Sequence, residues 1–260
     1  MEAATCRVTP PAVLYHHSPD CNASSIGEHG IRGSQTVEGN VPSVFFSDTP
    51  RFEPGTVVVA VDVKGLEIEA DWTTDPPEGE CWYVHYGDVP VHRITVLSST
   101  EVSRLRFASW FGASRAVDEE GRPLVLFHGT AGDFSEFCSR AVGRCHVDLE
   151  VGPAFFFTDH PGTANWYAES AGGQLGGTAN VRPVFLSLQN PLDVDFQGTG
   201  IETLAEDLEA AKAGGHDGLI ARNYDDGSVA THFIVFRPEQ IKSAIGNRGT
   251  FDPQDPDICR

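Results

Sequence analysis

Positive charge is what this chain has least of. Its 260 residues carry 18 lysines and arginines against 37 aspartates and glutamates, a formal net charge of -19 at pH 7. Such a field repels DNA and RNA phosphates at long range, which argues against nucleic acid as the primary partner and suits a neutral or basic protein. Paired cysteines are missing too. Cys6, Cys21, Cys81, Cys138, Cys145 and Cys259 include no CxxC spacing, so neither a zinc finger nor a disulfide framework is expected, and reduced thiols fit a cytosolic compartment. Cys138, Cys145 and His146 come nearest to a metal cluster, but their spacing suits no finger and no metal is expected. No run approaches the ~18 apolar residues of a membrane span. The opening MEAATCRVTPPAVLYHH lacks the basic stretch and apolar core of an export signal, so a soluble, cytoplasmic chain is expected. No GxGxxG leads from a strand into a helix, which argues against a dinucleotide site of the doubly wound kind.

What is present is an ordinary globular composition, 40% hydrophobic and 21% charged, enough for one large core or two moderate ones. The rhythm changes near SSTEVSRLRFASWFG, where a strand-like run gives way to a helix-like one, and this predicts two domains, 1–103 and 104–260. In the first, VLYHH, VFFSD, TVVVAVDV and HRITVL read as strands, and SPDCNASSIGEHGI reads as a helix capped by Ser18, with Pro19 in its first turn and Gly30 at its end. In the second, PLVLFHG, PAFFFTD, RPVFLSL, DGLIAR and THFIVF read as strands, TANWYAESA and TLAEDLEAAKAGG as helices, the latter stopped by Gly214. Strands outnumber helices and do not alternate with them, which makes the fold class α+β.

Three pieces of the C-terminal half stand out in their order: FHGT, holding His128, Gly129 and Thr130; FFFTDHPGTANWYA, holding Phe156, Phe157 and Tyr167; and HFIVF, beginning at His232. From about Phe107 onward the chain resembles the ADP-ribosyltransferase domain of phage and mobile-element polyvalent proteins. The likeness runs through WFGASRAVDEEGRPLVLFHGT, FFFTD with AxxYA, FLSLQNPLDVD, GHDGLI and FRPEQIKSAIGNRGTFDPQDPDI. More coarsely, the three pieces look like those of poly(ADP-ribose) polymerases and diphtheria-type toxins. The resemblance implies two small packed mixed or antiparallel sheets with few helices, and NAD+ as co-substrate without a metal.

By the same resemblance, His128 hydrogen-bonds the adenosine ribose, the backbone of Gly129 pairs with the nicotinamide carboxamide, and Thr130 adds a ribose contact. Tyr167 stacks on the nicotinamide ring, with Trp166 its rival, and Phe156 or Phe157 forms the pocket wall. Strand alternation sends Phe155 and Phe157 one way and Phe156 the other. His232 stands where the polymerases and toxins carry a glutamate. An imidazole serves as a hydrogen-bond partner or base there, but it lacks the permanent negative charge that stabilises an oxocarbenium ion. Asp225 and Asp226 in NYDDGS read as a solvated turn, lending a carboxylate only if that loop folds inward. Gln240 and Lys242 are expected to pack.

The N-terminal half carries LYHHS, VFFSDTP, VDVKGLEIEADW and WYVHYGDVPVHRITVL, and resembles the small rifamycin ADP-ribosyltransferases and RNA 2'-phosphotransferases. This implies a second copy of the fold, with His16 aligned to the first-strand histidine, His17 in place of the glycine and Asp71 near the acidic position. A second site at His16 and Asp71 and a copy serving recognition or scaffolding stand side by side. Asp71, Asp75, Glu78 and Glu80 read as a solvated acidic loop. The function expected is mono-ADP-ribosyl transfer to a macromolecular acceptor by the C-terminal domain. The alternatives are a catalytically weakened binding module and an NAD glycohydrolase toxin.

Overall fold

The computed structural model describes residues 9–36, 39–51, 53–71, 75–77, 79–138, 153–199 and 204–260. The chain divides into two units, residues 1–106 and 107–260.

In the first unit, β-branched and aromatic runs form β1 (Val13–Pro19), β2 (Ser34–Thr36), β3 (Gly39–Ser47), β4 (Thr56–Asp62), β5 (Glu69–Ala70), β6 (Trp82–Tyr86) and β7 (Ile94–Leu97). They make one antiparallel sheet in the order β5-β6-β3-β1-β4-β7, with β2 on β3. Leu14, Val44, Phe46, Val57, Val59, Val61 and Tyr83 fill its core. The helix α1 (Ala23–His29) begins later than the sequence suggested. Ser18 and Pro19 are strand residues paired with Val57 and Thr56, because a seven-residue ladder with β4 outweighs one capping bond. Gly30 does end the helix, at φ 84, and a Cβ there would lie 2.2 Å from the Val89 carbonyl.

The division between units falls within α2 (Ser99–Phe111). Its start is fixed by a reciprocal pair of bonds, Glu101 N–H to Ser98 Oγ and Ser98 N–H to Glu101 Oε2.

The second unit contains β8 (Leu126–Thr130), β9 (Phe155–Thr158), α3 (Pro161–Leu175), β10 (Asn180–Leu186), β11 (Leu192–Asp195), α4 (Leu204–Ala213), β12 (Gly218–Asp225), β13 (Val229–Val235) and β14 (Ile241–Ser243). Its sheet runs β11-β12-β13-β9-β8-β10-β14, and only the β11·β12 pair is parallel. With β11 set aside, this order coincides with that of the first sheet, β12 to β14 answering β5 to β7 strand for strand. Phe155 and Phe157 join Leu126, Val184 and Phe233 in one core. Phe156 packs on the opposite side with Leu208 and Ile234, as strand alternation requires. Helix α4 ends at Ala213, just before Gly214, but the left-handed residue is Gly215, at φ 71. Gln240 and Lys242 are packing residues: Gln240 Nε2 donates to the Ser187 and Asp217 carbonyls, and Lys242 Nζ to those of Asp255 and Asp257. No helix among the described residues is long and apolar enough to cross a membrane.

Candidate active site

The site begins where two strands part. β8 and β9 share one register pair, Phe127 with Thr158. Immediately beyond it, His128 Nδ1 donates to the Phe156 carbonyl at 2.8 Å, so a side chain takes over where the ladder stops. A carbonyl only accepts, which assigns the proton to Nδ1 and leaves Nε2 as an acceptor. Burial lowers the pKa of His128, and Arg182 across the β10 pairing lowers it further, against the opposing Phe156 bond. The imidazole is therefore neutral at pH 7. Its ring sits against those of Phe137 and Phe157, at centroid distances of 4.9 and 5.4 Å.

Gly129, the next residue, faces the other side of the strand, where α3 lies on it. A Cβ at this position would be 2.0 Å from the Ala164 carbonyl oxygen, 2.7 Å from Ala168 N and 2.9 Å from Tyr167 Cβ. Only glycine admits this approach. Helix α3 is aimed by its first turn, in which Pro161 is the first helical residue and His160 Nδ1 accepts from Thr163 N–H at 3.2 Å. Thr163 in turn meets Ser228 Oγ at 2.9 Å. Of the two rival aromatics, Trp166 is 56% exposed, whereas Tyr167 is half-buried and its hydroxyl donates to Asp226 Oδ2 at 2.5 Å.

Asp226 corrects the expectation of a solvated turn. Asp225 does serve the turn, accepting from Gly227 N–H at 3.0 Å. The Asp226 side chain instead points inward, 10% exposed, and its Oδ1 has no hydrogen-bond partner among the described residues. Its Oδ2 lies 3.3 Å from Nε2 of His232. That is ion-pair distance without hydrogen-bond geometry, since His232 Nε2 also has no hydrogen bond among the described residues. His232 is 5% exposed, and burial lowers its pKa despite the opposing charges of Asp226 and Asp159. Tyr224 stands edge-on to it at 5.0 Å, its hydroxyl pushed up to about 12 by burial and by Asp226. Burial and the Asp226 bond raise Tyr167 as well.

The structure thus joins Gly129, Tyr167, Asp226 and His232 through a chain of contacts on one side of the sheet. His128 and Thr130 lie on the other side of β8, at the parting of the strands. Phe156 contributes its carbonyl to His128. The Phe157 ring, 1% exposed, backs His128 in the core.

Individual features of this frame have counterparts in the first unit. β1 and β3 share the single pair Tyr15 with Ser47, and His16 Nδ1 donates to the Phe45 carbonyl at 3.0 Å. Asp48 clasps Cys81, its N–H to the Cys81 carbonyl at 3.1 Å and its Oδ1 to the Cys81 N–H at 3.0 Å. Asp159 clasps Thr231 in the same way, at 3.3 and 3.2 Å. The contents differ. His17 follows where Gly129 would be, its Nε2 accepting from Arg51 N–H at 2.9 Å. Trp82 pairs with Ser47 as His232 pairs with Thr158. Asp71 is buried beside Trp82, donating its N–H to the Trp82 carbonyl at 2.8 Å. The acidic loop is not uniformly solvated: Glu80 pairs with Arg51 at 2.7 Å and Asp75 is exposed, while Glu78 lies outside the described residues.

Residues 118–251, a span that contains every element of the candidate site in the second unit, match the family described as ADP-ribosyltransferase in polyvalent proteins. The chain belongs to this family. The resemblance carried by FHGT, FFFTD and HFIVF is therefore a family relationship for the C-terminal half, and it gives the chain a general role in ADP-ribosylation. ADP-ribosyltransferase domains use NAD+ as a substrate. No curated protein matches the chain. Among the described residues no group of three or more His, Cys, Asp or Glu is placed to hold a metal; Cys145 and His146 lie outside them.

Proposed function

We propose that the C-terminal unit binds NAD+ and moves its ADP-ribose to a macromolecular acceptor, a protein in preference to nucleic acid. The observation that carries this reading is the seat of Gly129. A main chain with no room for a side chain, directly beside Tyr167, suits a carboxamide paired with backbone and a flat cationic ring held on an aromatic face. His128 accepts a hydroxyl of the adenosine ribose at Nε2, with Thr130 beside it. His232, neutral and buried, lies toward the nicotinamide ribose, and the proton that the acceptor releases goes to solvent. The net charge of -19 favours a neutral or basic protein as acceptor.

We read the first unit as a second copy of the fold that does not cleave NAD+. The strand order, the His16 bond and the Asp48 clasp support the copy. The side chains of His17 and Trp82, standing where Gly129 and His232 stand in the second unit, support its inactivity.

The test is nicotinamide release from NAD+ by the purified chain, with and without cell lysate, for the parent, His128→Ala and His16→Ala. Release that depends on His128, rises with lysate and leaves labelled ADP-ribose on a macromolecule supports C-terminal transfer. Lysate-independent release indicates hydrolysis instead, and dependence on His16 would return the first unit to the list of active sites.

A further inference from the structure

The third motif lacks a negative charge, yet a buried one stands next to it. We infer that Asp226 supplies the charge that His232 does not, its carboxylate stabilising the ribosyl cation formed as NAD+ loses nicotinamide. The inference rests on the transferase reading above.

Three features of Asp226 support the assignment. The β12–β13 turn needs only Asp225, which makes the turn bond to Gly227, so turn chemistry does not explain why Asp226 points inward. Its Oδ2 is engaged by Tyr167 at 2.5 Å and faces His232 Nε2 at 3.3 Å, the aromatic and the imidazole assigned to the nicotinamide end. Its Oδ1 is sealed from solvent with no hydrogen-bond partner among the described residues. A buried carboxylate with an unused oxygen is costly to keep, and fixed charge in a water-excluded site acts most strongly on charge that develops during a reaction. The other nearby carboxylate, Asp159, accepts from Thr231 N–H.

In the step, the C1'–N bond breaks and its electron pair leaves with nicotinamide, which becomes neutral. The positive charge spreads over C1' and the ribose ring oxygen, where the Asp226 field opposes it. A lone pair of the acceptor forms the new bond to C1', and the acceptor's proton is released to solvent. NAD+ and the protonated acceptor give ADP-ribosylated acceptor, nicotinamide and one proton. Because Oδ1 is closed off, Asp226 works through its field and through Tyr167 and His232, as a positioning residue.

The deciding experiment is steady-state nicotinamide release from NAD+ by the full chain and by Asp226→Asn, Asp226→Glu and the double variant D226N/H232E, at a temperature below every melting midpoint. For Asp226→Asn, kcat is expected to fall about 100-fold or more while KM for NAD+ stays within about threefold. Asp226→Glu, which keeps the charge, is expected to retain at least about tenfold more activity than Asp226→Asn, and D226N/H232E, which moves the carboxylate to the next strand, to recover at least about tenfold. Near-normal kcat in Asp226→Asn, a change confined to KM, or equal losses in the Asn and Glu variants would each overturn the inference while leaving the transferase reading intact. Absence of release from the parent chain would overturn that reading and this one together.

Discussion

The hydroxyl of Tyr167 and the carboxylate of Asp226 are 2.5 Å apart, across 59 residues of sequence. This bond ties α3 to the turn between β12 and β13, and so holds the Tyr167 ring and the Asp226 carboxylate in one geometry. Tyr167→Phe removes the donor from a buried carboxylate and is expected to destabilise the second unit by about 1.5–3 kcal/mol. Trp166→Ala, at an exposed neighbour on the same helix, is expected to shift stability by less than about 0.5 kcal/mol and to leave KM for NAD+ unchanged. Urea unfolding and nicotinamide-release kinetics on the two variants separate the roles; equal effects would remove the distinction between the rings.

Gly129→Ala places a methyl 2.0 Å from the Ala164 carbonyl oxygen. The helix must shift to accept it, at an expected cost of roughly 1–3 kcal/mol in stability. Moving α3 displaces Tyr167 as well, so KM for NAD+ should rise by more than the stability loss accounts for. A variant that melts normally and binds NAD+ normally would contradict the packing.

His128→Ala breaks the bond that bridges β8 and β9. Loss of about 0.5–1.5 kcal/mol is expected for removal of one intramolecular hydrogen bond, together with loss of nicotinamide release. Calorimetry and the release assay on the same preparation check both; an inactive variant with unchanged stability would mean that the bridge contributes nothing to the fold.

In the first unit, burial, then His16, Arg51 and Arg106, push the pKa of His17 down to about 4. The unfolded chain takes up a proton near 6.5 that the folded unit refuses until about 4, so the contribution of this group is complete above pH 6.5 and is lost as pH falls through the window to 4. The shift corresponds to about 3 kcal/mol at most. Thermal melts between pH 7 and pH 4 should show a steeper loss of stability for the parent chain than for His17→Gln, and parallel curves would show that His17 does not carry the effect.

Several features were legible in the sequence because they depend on local patterns. The FFF run alternates between two cores as a strand must, and Gly30 ends α1. The features that the sequence misplaced depend on partners distant along the chain. Ser18 resembles a helix cap until β4 is known to pair with it. Asp-Asp-Gly reads as a turn whichever way its second carboxylate points, and only the presence of Tyr167 and His232 behind it draws Asp226 inward. Trp82 pairs with Ser47 as His232 pairs with Thr158, a relation invisible without the sheet. The short strands β11 and β14 carry too few residues to show a period of two, and α3 begins at Pro161, capped by a histidine that propensity does not favour in that role.

The parting of β8 and β9 after a single pair, with His128 spanning the opening, has a consequence for measurement. A ribose hydroxyl held at Nε2 would fix the imidazole and, through Nδ1, steady the two strand ends it bridges. Occupancy then becomes readable in the backbone itself, as slower amide hydrogen exchange at the end of β8 and the start of β9 when NAD+ is added, without any turnover taking place. On the proposed reading the same residue is recognition element and rivet, so sequence drift at this position would be penalised in both abundance and activity.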